Sequence, residues 1–253
     1  MRVLRDTWYL MLRALRESIR QPGVEIGNIF IPLFFFAITV GAIGEVAGKA
    51  FGVDNYVGFQ MPVAILQGVA GAAGAAGLGM TTDIERGYFD KLLLTPSPRI
   101  SLVAGRLAAD GVRVTAISVL IIIAGLIAGS GIATGVAGAV LLLVMAFLFG
   151  IAYSGIGMAI ALKTGSPQAA QLGFLIFFPL LFLSPAFAPK DVFSNWLQFA
   201  ATINPVTYLL EGMRSLVLDG WDLGQIAGAF AAIIGIGAFT LTLSVLALRT
   251  RTA

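Results

Sequence analysis

The chain has no cysteine and no histidine among its 253 residues, and only 11% of its residues are charged. The missing cysteines exclude disulfides and thiolate metal sites, and the missing histidines exclude Ser-His-Asp triads and the His-Glu-x-x-His zinc signature. The sequence also lacks a Gly-x-x-x-x-Gly-Lys-Ser/Thr phosphate loop, which is the usual means of binding and hydrolysing ATP. We therefore expect a protein that is not itself an enzyme and that carries no cofactor of its own.

Hydrophobic residues are abundant instead, at 58% of the chain, and the mean hydropathy is +0.94. Several continuous apolar runs reach about 18 residues or more, which is enough for a helix to cross a hydrocarbon core of roughly 30 Å. The sequence predicts an all-α membrane protein with one domain over 1–253 and a six-span bundle over 26–247. The predicted spans are 26–44, 57–80, 102–129, 135–161, 169–184 and 224–247.

Residues 1–21 have helical amphipathic periodicity. Leu4, Trp8 and Leu15 share one face, whereas Arg13 and Arg20 lie largely opposite. This pattern predicts a helix that lies on the surface of a lipid bilayer, with Trp8 at the level of the headgroups. Because charges continue as far as Arg20, a cleaved signal peptide is rejected.

The second predicted span is rich in small residues, which permit close contact between helices. We expect its glycine surface to pack against another helix, and the alternative is that it lines a cavity. Gln60 and Gln67 lie at membrane depth, so each needs a polar partner. The glycines recur at every third position: Gly68, Gly71, Gly74 and Gly77.

A charged segment, 83–99, interrupts the apolar runs after the second span. It predicts a short helix over 83–95 that is stopped by the prolines at 96 and 98. The third span then carries Arg106, Asp110 and Arg113 in its first turns. Their spacings of four and three residues allow them to pair along a helix.

The segment 186–217 does not read as an ordinary loop, because it contains two short amphipathic stretches. Asn204 is a suitable N-cap and Pro205 a suitable first helical residue, so a second short helix is expected to start there. We expect two re-entrant helices in the outer half of the bilayer. Glu211 and Arg214 are expected to form an ion pair at the outer rim, and the alternative is half of a proton relay.

Six spans place both termini on the same side of the membrane, and the basic residues indicate which side. The termini and the loops on their side carry 13 lysines and arginines, whereas the opposite side carries 3. Basic residues are retained in cytoplasmic loops. We therefore expect a multi-pass protein of the cytoplasmic membrane with both termini in the cytoplasm.

Two stretches carry a resemblance to a known family. Residues 85–96 read Glu-Arg-Gly-Tyr-Phe-Asp-Lys-Leu-Leu-Leu-Thr-Pro, and residues 204–214 read Asn-Pro-Val-Thr-Tyr-Leu-Leu-Glu-Gly-Met-Arg. The first resembles the cytoplasmic segment after the second span of ABC-2 type transporter permeases. The second resembles the Asn-Pro…Tyr…Arg stretch before the last span of that family. Together with the six spans and the basic amphipathic start, the resemblance covers nearly the whole chain.

The resemblance implies the membrane subunit of an ABC exporter. Two copies, as a homodimer, would work with a separate nucleotide-binding ATPase that holds ATP and magnesium, and no nucleic acid is involved. Segment 83–95 would be the coupling helix that contacts the ATPase, through Asp83, Glu85, Arg86, Tyr88, Phe89 and Lys91. The re-entrant helices would form an outer gate with Trp196, Phe199, Asn204, Pro205, Tyr208, Glu211 and Arg214.

The cargo is expected to be hydrophobic or amphipathic, either drug-like or lipid-like, because the first and fifth spans are rich in phenylalanine and poor in charge. One alternative is an exporter of polysaccharide or lipid-linked glycan from the same superfamily. Another is a secondary transporter driven by an ion gradient, which would typically show buried carboxylates and an inverted repeat. The residues proposed for a substrate path are Asn28, Phe34, Gln67 and Phe178.

Overall fold

The computed structural model describes residues 2–252, and all regular structure within them is helical. Met1 and Ala253, which the predicted ranges 1–21 and 1–253 include, lie outside the described residues. The helices are α1 (Arg2–Ile19), α2 (Pro22–Ile38), α3 (Gly44–Phe51), α4 (Tyr56–Glu85), α5 (Tyr88–Leu93), α6 (Arg99–Ile127), α7 (Gly135–Thr164), α8 (Pro167–Ala170), α9 (Leu172–Phe182), α10 (Asn195–Ile203), α11 (Pro205–Arg214) and α12 (Leu223–Thr252). Two π-helical turns, Thr39–Ile43 and Ser215–Asp219, and a 3₁₀ turn, Lys190–Val192, complete the described elements.

Five helical stretches are long and apolar enough to cross a membrane. They are Pro22–Phe51, Tyr56–Glu85, Arg99–Ile127, Gly135–Thr164 and Leu223–Arg251. The prediction of six spans is therefore confirmed for five. The sixth, at 169–184, corresponds to the shorter apolar stretch Pro167–Phe182, in which Gln171 separates α8 from α9.

The predicted first loop was placed too early. The predicted first span ends at 44 and the second begins at 57, which leaves Glu45 and Lys49 in the connecting loop. Both lie in α3 instead, which continues the first span through the π-helical turn as far as Phe51. The Lys49 ammonium donates to the Glu45 carboxylate at 2.7 Å, one turn away, so both charges are satisfied within a helix. Gly52 then adopts a left-handed conformation, with φ of +66°, and ends the helix.

The segment after α7 runs beside α4 even though its helices are short. Near one end, a Cβ at Gly77 of α4 would lie 2.8 Å from Ala170. Near the other, the Tyr56 hydroxyl donates to the Phe187 carbonyl at 3.2 Å. Residues 56 and 77 of a helix are separated by roughly 32 Å at 1.5 Å per residue. The segment therefore follows α4 over a length close to the thickness of a hydrocarbon core, in part as a non-helical chain.

Helix α4 is the centre of the bundle. Of the residues in its 18-residue apolar stretch, 83% are buried, against 11% in the corresponding stretch of the first span. The predicted close packing of its glycine surface is confirmed, but the surface meets several helices rather than one. Steps of three residues in a helix of 3.6 residues per turn move around the axis, so the glycines face different neighbours. The nearest side chains are Ile117 of α6 for Gly68, Asn28 of α2 for Gly71, Gln171 between α8 and α9 for Gly74, and Ala170 of α8 for Gly77.

Replacing Gly77 with valine is expected to destabilise the bundle by about 1–3 kcal/mol, the usual cost of overpacking. Its Cβ would lie 2.8 Å from Ala170 and 2.9 Å from the Gly157 carbonyl, and backbone does not move cheaply. The midpoint of thermal unfolding in detergent measures the effect. Gly27→Val is the control, because nothing lies within 4 Å of a Cβ there. Equal losses for the two variants would contradict the close approach of α4 and α7.

Both ends of the chain lie at the same end of the bundle. A buried cluster there joins Phe89 of α5, Leu102 of α6, Leu162 of α7 and Leu248 of α12. Helix α1 packs on α6 at this level, where a Cβ at Gly105 would lie 2.6 Å from Leu10. We call this end of the bundle the α5 end, and the end that carries Tyr56 the opposite end.

Candidate coupling face and outer polar cluster

The predicted helix over 83–95 is two helices in the structure. Helix α4 continues through Glu85, and α5 begins at Tyr88 after a turn at Gly87, whose φ is +65°. Glycine adopts this left-handed conformation without steric cost, so the chain changes direction there. Phe89 is 2% exposed and anchors α5 in the buried cluster at the α5 end.

The six residues predicted to contact an ATPase divide into two groups. Glu85, Arg86 and Lys91 are exposed, and Tyr88 is half-buried beneath the Arg13 guanidinium, whose Cζ lies 3.8 Å from the ring centroid. This is the geometry of a cation–π contact. Asp83 and Phe89 are buried and face their own chain. We call the exposed surface of Glu85, Arg86, Asp90 and Lys91 the corner surface.

Asp83 is the centre of a buried charge network. Its carboxylate accepts two hydrogen bonds from Arg13 of α1, at 2.7 and 3.1 Å, and one from Arg106 of α6, at 2.8 Å. Arg106 also donates to Glu17 of α1 at 3.0 Å. Gly79 makes room for Arg106, because a Cβ there would collide with the guanidinium. The bidentate contact pairs the charges of Arg13 and Asp83 and also fixes the relative orientation of the two side chains.

The pKa of Arg13 is raised in this position, next to the Asp83 carboxylate. Partial burial alone lowers the pKa of Arg13, but the hydrogen bond and the charge of Asp83, with smaller contributions from Tyr88 and Glu17, raise it above its ordinary value. The guanidinium stays protonated and holds α1, α4 and α5 together.

A second part of the network lies deeper in the bundle. Arg113 of α6 donates to Asp110 on the same helix and to Glu25 of α2 at 3.2 Å, and Ser18 of α1 donates to Glu25. The predicted pairing of Asp110 with Arg113 is confirmed. The predicted pairing of Arg106 with Asp110 was wrong, because Arg106 turns towards Asp83 and Glu17. The network therefore joins four helices: α1, α2, α4 and α6.

Arg214 forms a second polar cluster, at the opposite end of the bundle, which is the candidate outer polar cluster. It is 7% exposed, and its guanidinium donates to the carbonyls of Phe59 at 3.0 Å, Pro185 at 2.6 Å and Ala186 at 2.9 Å. Its Cζ lies 3.4 Å from the Phe59 ring centroid. The predicted ion pair with Glu211 was wrong: the ion pairs of residues 2–252 do not include it, and backbone carbonyls take the carboxylate's place.

Other polar groups of α4 bind the same loop. Gln60 donates to the Tyr56 hydroxyl at 2.9 Å and to the Ala186 carbonyl at 3.3 Å, so the partner expected for Gln60 is present. The Oε1 atom of Gln67 is buried without a hydrogen-bond partner within residues 2–252. The loop at 183–189 is thus held by Arg214, Gln60 and Tyr56.

The two short helices predicted before the last span are present as α10 and α11. The Asn204 side chain accepts from the Val206 N–H at 3.0 Å, and Pro205 is the first residue of α11, which confirms the predicted cap. The Tyr208 hydroxyl donates to the Thr202 carbonyl at 2.7 Å. The apolar residues proposed for this region are exposed: Trp196 at 67% and Phe199 at 69%.

The four residues proposed for a substrate path lie on three helices. Asn28 and Phe34 are on α2, Gln67 is on α4 and Phe178 is on α9. Phe34 is 47% exposed, whereas Asn28 lies against Gly71. The structure places them on either side of α4 rather than around one enclosed site.

Comparison with known proteins identifies the architecture. The model of the family described as ABC-2 type transporter matches residues 5–218, from α1 through the π-helical turn after α11. The chain belongs to the ABC-2 type transporter family. This ABC-2 chain is therefore a multi-pass membrane protein and the membrane permease subunit of an ABC transporter. Membership implies an ATP-binding subunit as partner, on which ATP is hydrolysed.

Individual relatives agree with the family. The ABC-2 permease is 26% identical over 231 residues to the daunorubicin resistance ABC transporter permease protein DrrB1 of Streptomyces coeruleorubidus. The aligned region covers 88% of this chain and 80% of DrrB1. It is 22% identical over 226 residues to the probable doxorubicin resistance ABC transporter permease protein DrrC of Mycobacterium tuberculosis. That alignment covers 88% of this chain and 81% of DrrC.

Sequence reasoning missed part of the site. Arg13 and Glu17 were assigned to a membrane-surface helix, and Glu25 was assigned no partner; the partners of the three residues lie 70, 89 and 88 residues away. The sequence does show an excess of charged residues at the starts of α1 and α6. This excess indicates a polar region, but it does not identify which residues form ion pairs.

Proposed function

We propose that this permease exports a hydrophobic or amphipathic, drug-like or lipid-like compound out of the cytoplasm or the inner leaflet. Two copies of the chain assemble with two copies of an ATP-binding subunit, which holds ATP and magnesium. The observation that carries the proposal is the corner at Gly87. It presents a short charged helix beyond the end of the most buried span, and it is anchored on three other helices.

The corner suits the transmission of force. A partner that moves the corner surface moves α5, which Phe89 and the Tyr88–Arg13 contact join to the bundle. Arg13 passes the displacement to Asp83 of α4, and Asp83 is bonded to Arg106 of α6. Packed elements joined by such contacts move as units rather than deforming continuously. ATP-driven closure of the partner would thereby shift α4 and α6 together.

Six crossings and a cytoplasmic α5 end follow from length and charge. The segment 167–187 accompanies α4 over roughly 32 Å, so it supplies a sixth crossing despite its short helices. Both chain ends then lie on one side, in agreement with their shared position in the fold. The 13 to 3 distribution of basic residues assigns that side to the cytoplasm and the chain to the cytoplasmic membrane.

The cargo class follows from the named relatives and from the exposed aromatic surface of α2. DrrB1 and DrrC are named for resistance to daunorubicin and doxorubicin. Phe30 and Phe34 stack at 5.4 Å between ring centroids, and both are exposed. A second copy of the chain facing α2 would turn this surface into an aromatic wall between protomers, beside Asn28 and Gln67. The outward path ends at the loop held by Arg214.

Charge reversal on the corner surface tests the coupling role. Glu85→Lys with Lys91→Glu is expected to lower cargo-stimulated ATPase activity of the reconstituted complex by about tenfold, within the usual range of coupling energies. Both residues are exposed, so thermal stability should stay unchanged. Glu45→Lys with Lys49→Glu, the same exchange of charges at the opposite end, is the control. Normal stimulation and normal assembly in the corner variant would refute the coupling role.

A further inference from the structure

Helix α1 presents three distinct faces. One face packs on α6 through Met11 and Ala14, which are 9% and 6% exposed. A second face is apolar and uncovered: Leu4, Trp8 and Ile19 are 77%, 58% and 78% exposed. The third face carries arginines. An apolar face uncovered beside a basic one is the pattern of a helix lying in the membrane interface.

The basic face borders a cavity of about 460 Å³ at the turn between α1 and α2. Arg13 and Glu17 already have partners in the buried charge network. Arg16, Arg20 and Arg86 are exposed, and the ion pairs of the described chain, residues 2–252, include none of the three. The complete lining is Arg13, Arg16, Glu17, Arg20, Gln21 and Arg86.

The cavity lies at the depth of lipid headgroups. Helix α2 starts at Pro22, and its first exposed apolar residues are Val24 and Ile26, at 39% and 64%. Pro22 follows Arg20 by two residues, and Val24 and Ile26 lie two and four residues further, roughly 3–6 Å along α2. Each headgroup layer of a bilayer is about 5–7 Å thick, so Arg20 lies within or just beyond it while Ile26 enters the hydrocarbon.

We propose that this cavity is a binding site for the headgroup phosphate of an anionic phospholipid in the leaflet at the α5 end. The three arginines supply planar donors suited to phosphate oxygens. The apolar face of α1 receives the acyl chains beside them. The lipid would thereby fix the position of α1, and with it Arg13 and the network that reaches Asp83. The proposal requires only that the chain spans a membrane. It shares Arg86 with the corner surface, so its test leaves Arg86 unchanged.

Native mass spectrometry of the purified chain, titrated with phosphatidylglycerol or phosphatidylcholine, tests the site. We expect tighter binding of phosphatidylglycerol to the unaltered chain. Arg16→Gln with Arg20→Gln is expected to weaken that binding about 30-fold, since each arginine near an anionic surface contributes about fivefold. Arg16→Lys with Arg20→Lys should retain most of the affinity, because a phosphate accepts a point charge as well.

The matched control is Lys91→Gln with Lys163→Gln, which removes two exposed charges outside the cavity. Unfolding temperatures in phosphatidylcholine nanodiscs should be equal for all variants and so separate binding from folding. Equal loss of phosphatidylglycerol binding in the cavity and control variants would overturn the proposal, because it would show attraction by net charge alone. So would unchanged lipid binding in the cavity variant, and if that variant also lost assembly with the ATP-binding subunit, an acidic protein segment would be the occupant.

Discussion

Substitution of Asp83 by asparagine is expected to lower the free energy of unfolding by about 3–5 kcal/mol, the range for breaking a buried ion pair by removing one partner. The side chain keeps its shape but loses its charge, and one of its two acceptor oxygens becomes an NH2 group that faces the guanidiniums of Arg13 and Arg106. Arg106 is the more affected of the two, because its side chain is 7% exposed while that of Arg13 is 33% exposed. Titration with a denaturing detergent in mixed micelles measures the change.

The matched control for Asp83 is Glu85→Gln, two residues along the same helix. Glu85 is exposed, and a change there should alter stability by less than about 0.5 kcal/mol. A double-mutant cycle of Asp83→Asn with Arg106→Gln should show a coupling energy of about 1–3 kcal/mol, as residues in one network do. Additive effects in that cycle, or equal losses at positions 83 and 85, would refute the network.

Asp83→Asn distinguishes contact with the ATP-binding subunit from stabilisation of the buried charge network. Sequence reasoning placed Asp83 among the residues that contact an ATPase, but its carboxylate is 7% exposed and faces α1 and α6. The variant should therefore still assemble with the ATP-binding subunit through the corner surface while transmitting motion poorly. Variants of Glu85 and Lys91 should show the reverse, with a stable bundle and weakened contact.

The helices of this permease could be predicted from sequence because long apolar runs leave the backbone no alternative in a bilayer. The boundaries were less predictable. Glu45 and Lys49 looked like a loop, yet an i,i+4 ion pair keeps them helical. Gly87 divides a segment that composition alone reads as one helix, because a single residue in a left-handed conformation is enough to turn the chain.

The two polar clusters were less predictable still, and for different reasons. The acceptor for Arg13 lies 70 residues away, so only the packing of α1 on α6 brings Asp83 within reach. Arg214 was paired with Glu211 because the two are close along the helix. Its actual acceptors are backbone carbonyls, which every residue possesses and no sequence pattern marks.

Arg214→Met is expected to have the second large effect, a destabilisation of about 3 kcal/mol or more. Three carbonyls lose a charged donor, and a buried acceptor left without its partner costs about 1–3 kcal/mol. The methionine fills part of the volume and still contacts the Phe59 ring. Lys190→Met provides the control, because this nearby cation is only partly buried and has no ion-pair partner within residues 2–252.

Arg214→Met also tests whether the loop at 183–189 is held closed. The natural chain has no cysteine, so a single Ala188→Cys substitution reports on the loop without background. We expect a water-soluble maleimide to label the introduced thiol faster when Arg214→Met is also present, because Pro185 and Ala186 lose two of their anchors. Gln60 and Tyr56 retain theirs, so the loop should loosen rather than unfold. Equal labelling rates would mean that Arg214 stabilises α11 without restraining the loop, and the outer gate would then have to be sought in α10, where Trp196 and Phe199 are exposed.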